Sequence, residues 1–193
     1  MTNASGPPLQ VAVIVGSTRE GRVGDAIAHW FTERAAKRGD LDVEVIDLID
    51  YTDFPARYPH LATTAMTRFT HRVDRAEAFV VVTPEYNRSF PASLKQAIDY
   101  AYDEWHAKPV GFVSYGHGSR GLYAVEALRC VFTELHAMSL RDVVGLNLAE
   151  EFTAAPEAVP GSAADQAADT LLDQLLWWGL ALREARATRP YTS

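Results

Sequence analysis

Apolar, β-branched runs alternate along this chain with segments in which apolar residues recur at helical spacing. VAVIV (Val11–Val15), VEVIDL (Val43–Leu48), AFVVVT (Ala78–Thr83), PVGFVSY (Pro109–Tyr115) and, more weakly, VVGLNL (Val143–Leu148) predict five strands. The runs that begin at Val11, Ala78 and Pro109 are apolar throughout, where a sheet with one wet face would alternate. Those strands are expected to be buried on both faces. Between the runs, helical spacing links Val23, Ile27, Trp30 and Phe31, then Phe69, Val73 and Ala76, then Leu94, Ala97, Ile98, Ala101 and Tyr102. It recurs through Leu122, Val125, Leu128, Phe132 and Leu135, and finally through Ala168, Leu171, Leu172, Leu175, Leu176 and Leu182. Strand and helix in alternation imply parallel strands, right-handed crossovers and helices on both faces: an α/β fold with a doubly wound five-stranded parallel sheet.

Composition narrows the setting. With 193 residues, 48% of them hydrophobic, the chain can form one good core, and a single domain over residues 9–193 is expected after a flexible leader, 1–8. A net charge of −7 argues against nucleic acid, whose phosphates call for clustered Lys and Arg. MTNASGPPLQ has neither the basic start nor the apolar stretch of a signal peptide. LLDQLLWWGLAL is interrupted by Asp173 and Gln174 and is too short to span a bilayer. A cytoplasmic protein without membrane attachment is the expectation, and the lone Cys130 fits a reducing compartment. EEFTAAPEAVPGSAAD (Glu150–Asp165) has the acids, prolines and small residues of a surface loop leading into the last helix.

The corner VGSTREGRVGDAI (Val15–Ile27) carries the first candidate chemistry. It falls where the first strand ends and the first helix begins, on the carboxyl edge of the sheet, where open α/β folds bind ligands. Gly16, Gly21 and Gly24 allow close backbone approach, Ser17 and Thr18 bring hydroxyls, and the helix start presents amides with partial positive charge. Arg19 and Arg22 add forked donors that match phosphate oxygens. The loop has neither the Gly-Lys-Ser/Thr ending of a Walker sequence nor the Gly-x-Gly-x-x-Gly spacing of a dinucleotide fingerprint. A phosphate cradle of another kind is therefore expected.

Two further loops open onto the same edge. TPEYN (Thr83–Asn87) ends the third strand with a planar aromatic beside amide-bearing residues, a set able to lie against a flat heterocycle and hydrogen-bond its rim. SYGHGSRG (Ser114–Gly121) ends the fourth strand with exposed amides and small residues. It is no nucleophile elbow, because His117 and Gly121 flank Ser119 where two glycines are required. His60, His71 and His106 are scattered without ligand spacing, so no metal site is expected. His136 reads as a packed helix histidine, and Cys130, in mid-helix, as buried and inert.

The three motifs GSTREGRVGDAIAHW, TPEYNRSFPASLKQAIDY and SYGHGSRG, in this order and spacing, resemble the NADPH-dependent FMN reductase family, which includes quinone, azo-dye and chromate reductases. The resemblance runs from about Leu9 to about Val144 and implies a flavodoxin-like sheet with strand order 2-1-3-4-5. It implies that Ser17, Arg19, Arg22, Val23 and Gly24 hold the phosphate of FMN, that Pro84, Glu85, Tyr86 and Asn87 border the isoalloxazine ring, and that Ser114, Tyr115 and Gly116 border its other side. NADPH or NADH is then the electron donor, a small molecule such as a flavin or quinone the acceptor, and no protein group is assigned as catalytic acid, base or nucleophile. His117 stands where relatives often carry a second glycine, and Arg120 where a small residue is common. A flavin-binding electron carrier or sensor would present the same fold and phosphate loop.

The segment from Pro91 to about Trp105 predicts one helix with two apolar stripes: Leu94, Ile98 and Tyr102, and Ala97, Ala101 and Trp105. One stripe suffices for the sheet, so the second is expected to pack on another copy, in an interface that includes this helix and the one starting near Arg120, with Trp105 near the contact. The family resemblance likewise implies a homodimer or homotetramer.

Overall fold

The computed structural model describes residues 6–51, 53–151 and 162–192. Strands β1 (Leu9–Val15), β2 (Leu41–Asp47), β3 (Ala78–Pro84) and β4 (Pro109–Gly116) lie parallel in the order β2-β1-β3-β4. The fifth position is shared by two short pieces, β5 (Met138–Ser139) against the start of β4 and β6 (Val144–Asn147) against its end. The sheet thus has the expected 2-1-3-4-5 order, with the last strand interrupted. In the interruption, the Arg129 guanidinium donates to the carbonyls of Leu140 and Arg141.

Helices α1 (Gly24–Ala36) and α6 (Ala163–Thr188) cover one face, and α2 (Thr64–Arg75), α3 (Ala92–Ile98) and α4 (Leu122–Glu134) the other. Because side chains alternate across a strand, β3 sends Phe79 and Val81 into the layer with Phe69, Leu94 and Phe132, and Val80 and Val82 into the layer with Ile27, Phe31 and Leu171. All of β3 is buried, which is why its sequence is apolar apart from Thr83, whose hydroxyl donates to the Pro84 carbonyl. A short helix, α5 (Leu148–Glu151), follows β6.

Three sequence expectations are corrected. The helix predicted to run from Pro91 to Trp105 stops at Ile98, and Asp103–Trp105 form a separate 3-10 turn. Trp105 is fully buried against Phe79, Phe132 and Phe69, at ring-centroid distances of 4.6, 5.4 and 6.4 Å, and its indole N–H donates to the Ile98 and Ala101 carbonyls. The second stripe therefore completes this chain's own core and offers no surface at Trp105 to a neighbour. Cys130 is exposed, because α4 buries Ala124, Val125, Leu128 and Phe132 and turns position 130 outward. His136 lies beyond the end of α4 in a left-handed conformation (φ 54°), half-buried, with Nδ1 hydrogen-bonded to the Tyr191 hydroxyl at 2.7 Å.

Residues 1–5 of the expected leader and 152–161 of the expected loop lie outside the described residues. Pro7 and Pro8 are held through their carbonyls by Arg183 of α6.

Candidate cofactor-binding site

The β1–α1 loop turns at Gly21 (φ +68°), a conformation that would strain an L side chain. Its approach to α3 is close: the Ser93 hydroxyl donates to the Gly16 carbonyl at 3.0 Å, and a Cβ on Gly16 would come within 2.9 Å of Leu94. Helix α1 then starts at Gly24 without a side-chain cap, whereas Thr63 caps α2 and Ser162 caps α6. The amides of Thr18, Arg19, Glu20, Gly21, Val23 and Gly24 reach no acceptor among the described residues. An uncapped helix start beside a run of open amides is a ready anion site.

The two arginines of this loop have different jobs. Arg22 grips Asp47 with both terminal nitrogens, at 2.6 and 2.5 Å, and also donates to the Ser17 carbonyl at 2.8 Å. This hydrogen-bonded pairing raises the Arg22 pKa above its already high ordinary value. The strand register explains the pairing, since Asp47 at the end of β2 lies beside Val15 at the end of β1. Arg22 is therefore a strut that shapes the loop, and Arg19, exposed on the cleft wall and with no partner among the described residues, is the cation available to a ligand.

Beyond β3, Tyr86 and Ser89 exchange backbone hydrogen bonds at 2.8 and 3.0 Å across Asn87 and Arg88, which both have positive φ (51° and 64°). This is the geometry of a type I′ turn. The turn fixes Tyr86, whose hydroxyl lies 3.1 Å from Ser17 Oγ and so joins the second loop to the first. Glu85 serves the third loop: its amide donates to the Tyr115 carbonyl, and its carboxylate accepts from the Tyr123 amide in the first turn of α4. Arg88 lies over the Tyr123 ring at 3.9 Å.

The three loops enclose a cleft of about 420 Å³, within the size range of small-molecule sites. Of the residues anticipated from sequence, Ser17, Arg19, Arg22, Val23, Pro84, Glu85, Tyr86, Tyr115 and Gly116 line it. Gly24, Asn87 and Ser114 do not. Gly24 lies under the Tyr115 hydroxyl, where a Cβ would come within 2.7 Å, Asn87 is at the exposed tip of its turn, and Ser114 donates to the Arg120 carbonyl. The lining also includes Glu20, Gly21, His117 and Leu148. Leu148, at the start of α5, carries no polar signal by which sequence could single it out. Arg120 ties its loop to the far edge of the sheet through the Gly145 carbonyl and Glu150.

Tyr115 is the most telling group in the wall. It is 4% exposed, yet its hydroxyl oxygen is buried without a well-formed hydrogen bond among the described residues. Burial pushes its pKa above the ordinary tyrosine range, and the nearby Ser17 hydroxyl opposes that shift only in part. A buried phenol without a partner is costly, so this wall has a donor to offer.

Comparisons with known proteins bear on the family through sequence and on the fold through structure. The chain is 36% identical over 118 residues to an NAD(P)H-dependent FMN reductase of Schizosaccharomyces pombe, a match that spans 56% of this chain and 59% of that relative. It is 36% identical over 140 residues to a quinone reductase of Pseudomonas putida, spanning 67% of this chain and 74% of the relative. The fold superimposes on a flavoenzyme NAD(P)H:(acceptor) oxidoreductase from Paracoccus denitrificans with a TM-score of 0.75 at 23% identity, covering 90% of this chain and 98% of that one. The family model for NADPH-dependent FMN reductases matches residues 9–151, a span that contains all three loops of the cleft. This chain belongs to the NADPH-dependent FMN reductase family.

Proposed function

We propose that the cleft binds FMN and that the protein uses it to oxidise NADPH or NADH and reduce a flavin, quinone or similar small acceptor by a ping-pong mechanism. The observation that carries this reading is the bank of unengaged amides at the uncapped start of α1. The same residues fit the group chemically. Ser17, Arg19 and the amides of Val23 and Gly24 hold the phosphate, while the Arg22–Asp47 clamp keeps the loop in shape. Pro84, Glu85 and Tyr86 border one side of the ring and Tyr115 and Gly116 the other, with Asn87 and Ser114 supporting those loops. Tyr115 is a protonated donor at neutral pH, and burial moves its pKa further from that range.

Bound FMN supplies the redox chemistry, taking up a hydride equivalent from the nicotinamide and giving electrons to the acceptor in turn. The chain's own contribution is orientation and a fixed set of donors, which cost no reorganisation when charge develops. None of its side chains is required as a nucleophile.

FMN should bind far more tightly than riboflavin, which lacks the phosphate, and equal affinities would refute the cradle. A charge-assisted hydrogen bond contributes about 1.5–3 kcal/mol, so Arg19→Ala should weaken FMN binding by roughly tenfold or more. Anaerobic NADPH or NADH should bleach the bound flavin. Tight FMN binding without bleaching by either nicotinamide would mark an electron carrier served by a separate reductase.

A further inference from the structure

A second cavity, of about 400 Å³, lies at the opposite edge of the sheet, and the proposed oxidoreductase chemistry makes no use of it. Its walls are the last turn of α6 (Leu182, Ala185, Arg186), Arg189 with the segment Pro190–Thr192, His136, and Met138 at the start of β5. Met138 pairs with Pro109 at the first residue of β4, whereas the cofactor cleft is lined by Tyr115 and Gly116 at its end. At about 3.3 Å per residue, strand β4 separates the two cavities by roughly 25 Å.

The lining is amphipathic and of one charge sign. Arg186 and Arg189 bring two guanidinium groups, and no Asp or Glu is among the lining residues. Arg186 is half-buried and spends one N–H on the Ala107 carbonyl. Burial lowers its pKa, and Glu77, which is also paired with Arg183, opposes that shift only in part. The Arg189 amide donates to the Ala185 carbonyl, but its guanidinium has no acceptor among the described residues. The same lining includes the apolar side chains of Leu182, Ala185, Met138 and Pro190. The outer wall is pinned: the Tyr191 hydroxyl is hydrogen-bonded to His136, and the Tyr191 ring lies edge-on to both His136 and His106, at 5.7 Å from each.

We infer that this cavity is a binding site for a small organic anion, a carboxylate with an apolar body, held by Arg186 and Arg189 with its body against Met138 and Leu182. A forked guanidinium matches a carboxylate, and no carboxylate lines the cavity beside the half-buried Arg186 and the exposed Arg189. An uncharged apolar ligand would make no use of the two guanidinium groups. A bare inorganic anion would leave the apolar half unused.

The test uses the full chain, folded and supplied with excess FMN, with benzoate as probe and the methyl resonance of Met138 as reporter. Benzoate should shift that resonance saturably, and benzyl alcohol and inorganic phosphate should each bind at least about tenfold more weakly. Arg189→Gln, an exposed substitution whose melting curve should match that of the unaltered chain, should weaken benzoate binding by about tenfold or more. Arg19→Ala should leave it unchanged, which separates this site from the cofactor cleft. The inference is overturned if the Met138 resonance does not move or if Arg189→Gln leaves the affinity intact. It is equally overturned if benzyl alcohol binds as well as benzoate, or if Arg19→Ala abolishes the effect.

Discussion

The carboxyl and amino edges of this sheet handle the same chemical groups in opposite ways. At the carboxyl edge, the amides from Thr18 to Gly21 stay open, α1 starts uncapped, and the Tyr115 hydroxyl lacks a good partner. At the amino edge, His106 Nε2 and Ser139 Oγ are also buried without a partner among the described residues, but several other donors are spent on tertiary bonds. The Trp105 indole N–H reaches two carbonyls, the Lys108 ammonium closes the end of α2 through the Val73 and Asp74 carbonyls, and the Ala107 amide bonds the His136 carbonyl at 3.0 Å. The contrast follows from the direction of the connections. A strand running into a helix exposes the helix's free N–H groups, and these are stabilised by an anion as readily as by a cap. A helix running back into a strand exposes carbonyls, which this chain covers with its own Lys and Trp. Ligand affinity and folding stability should therefore respond to substitutions at different edges.

The largest effect is expected at Trp105. Trp105→Ala removes a fully buried indole and its two hydrogen bonds, and should cost about 3–5 kcal/mol in urea unfolding. A destabilisation below about 1 kcal/mol, with a change in oligomeric state, would return Trp105 to a subunit interface. Next comes Arg19→Glu at the other edge. The residue is exposed, so stability should stay within about 0.5 kcal/mol, while FMN affinity should fall about a hundredfold as an attraction of about 1.5–3 kcal/mol becomes a repulsion. Comparable losses of stability and affinity would erase the division between the edges.

The smallest effect is a pH dependence at Lys108. Burial lowers its pKa to about 8, below the ordinary lysine value near 10.4. The native state then binds fewer protons than the unfolded chain between those values, so the cost of the buried charge is present below pH 8 and is relieved as pH rises. Stability should increase by up to roughly 2 kcal/mol between pH 8 and pH 10, at no more than 1.36 kcal/mol per pH unit. Tyr115, with its pKa raised, contributes the opposite slope only above the ordinary tyrosine pKa of about 10. Lys108→Met should flatten the rise, measured as the midpoint of urea unfolding against pH.

Sequence pattern reached the strands, their order and most of the cleft because those features are local. Glycines, hydroxyls and arginines at a strand-to-helix corner lie within a dozen residues of one another, and the continuous apolar runs at Ala78 and Pro109 reflect burial on both faces. What escaped depends on partners far along the chain. Sequence puts Arg22 at the phosphate cradle, but only the parallel register reveals that Asp47 lies beside it and takes both its terminal nitrogens. The spacing of Ala97, Ala101 and Trp105 continues a helical period, yet the helix ends at Ile98, and periodicity cannot tell an indole turned into its own core from one awaiting a neighbour. Cys130 follows the same logic in reverse, since an apolar residue in an apolar helix can still occupy the outer face.

The interruption between β5 and β6 bears on how copies of this chain can meet. An unbroken outer strand would present a row of free N–H and C=O groups, a template for strand addition and aggregation. Here that border has only a two-residue and a four-residue piece, and Arg129 occupies the carbonyls of Leu140 and Arg141 between them. At the opposite border, Arg72 of α2 donates to the Val45 carbonyl of β2 and pairs with Glu44. With a guanidinium on a backbone carbonyl at each border, strand addition is obstructed at both edges.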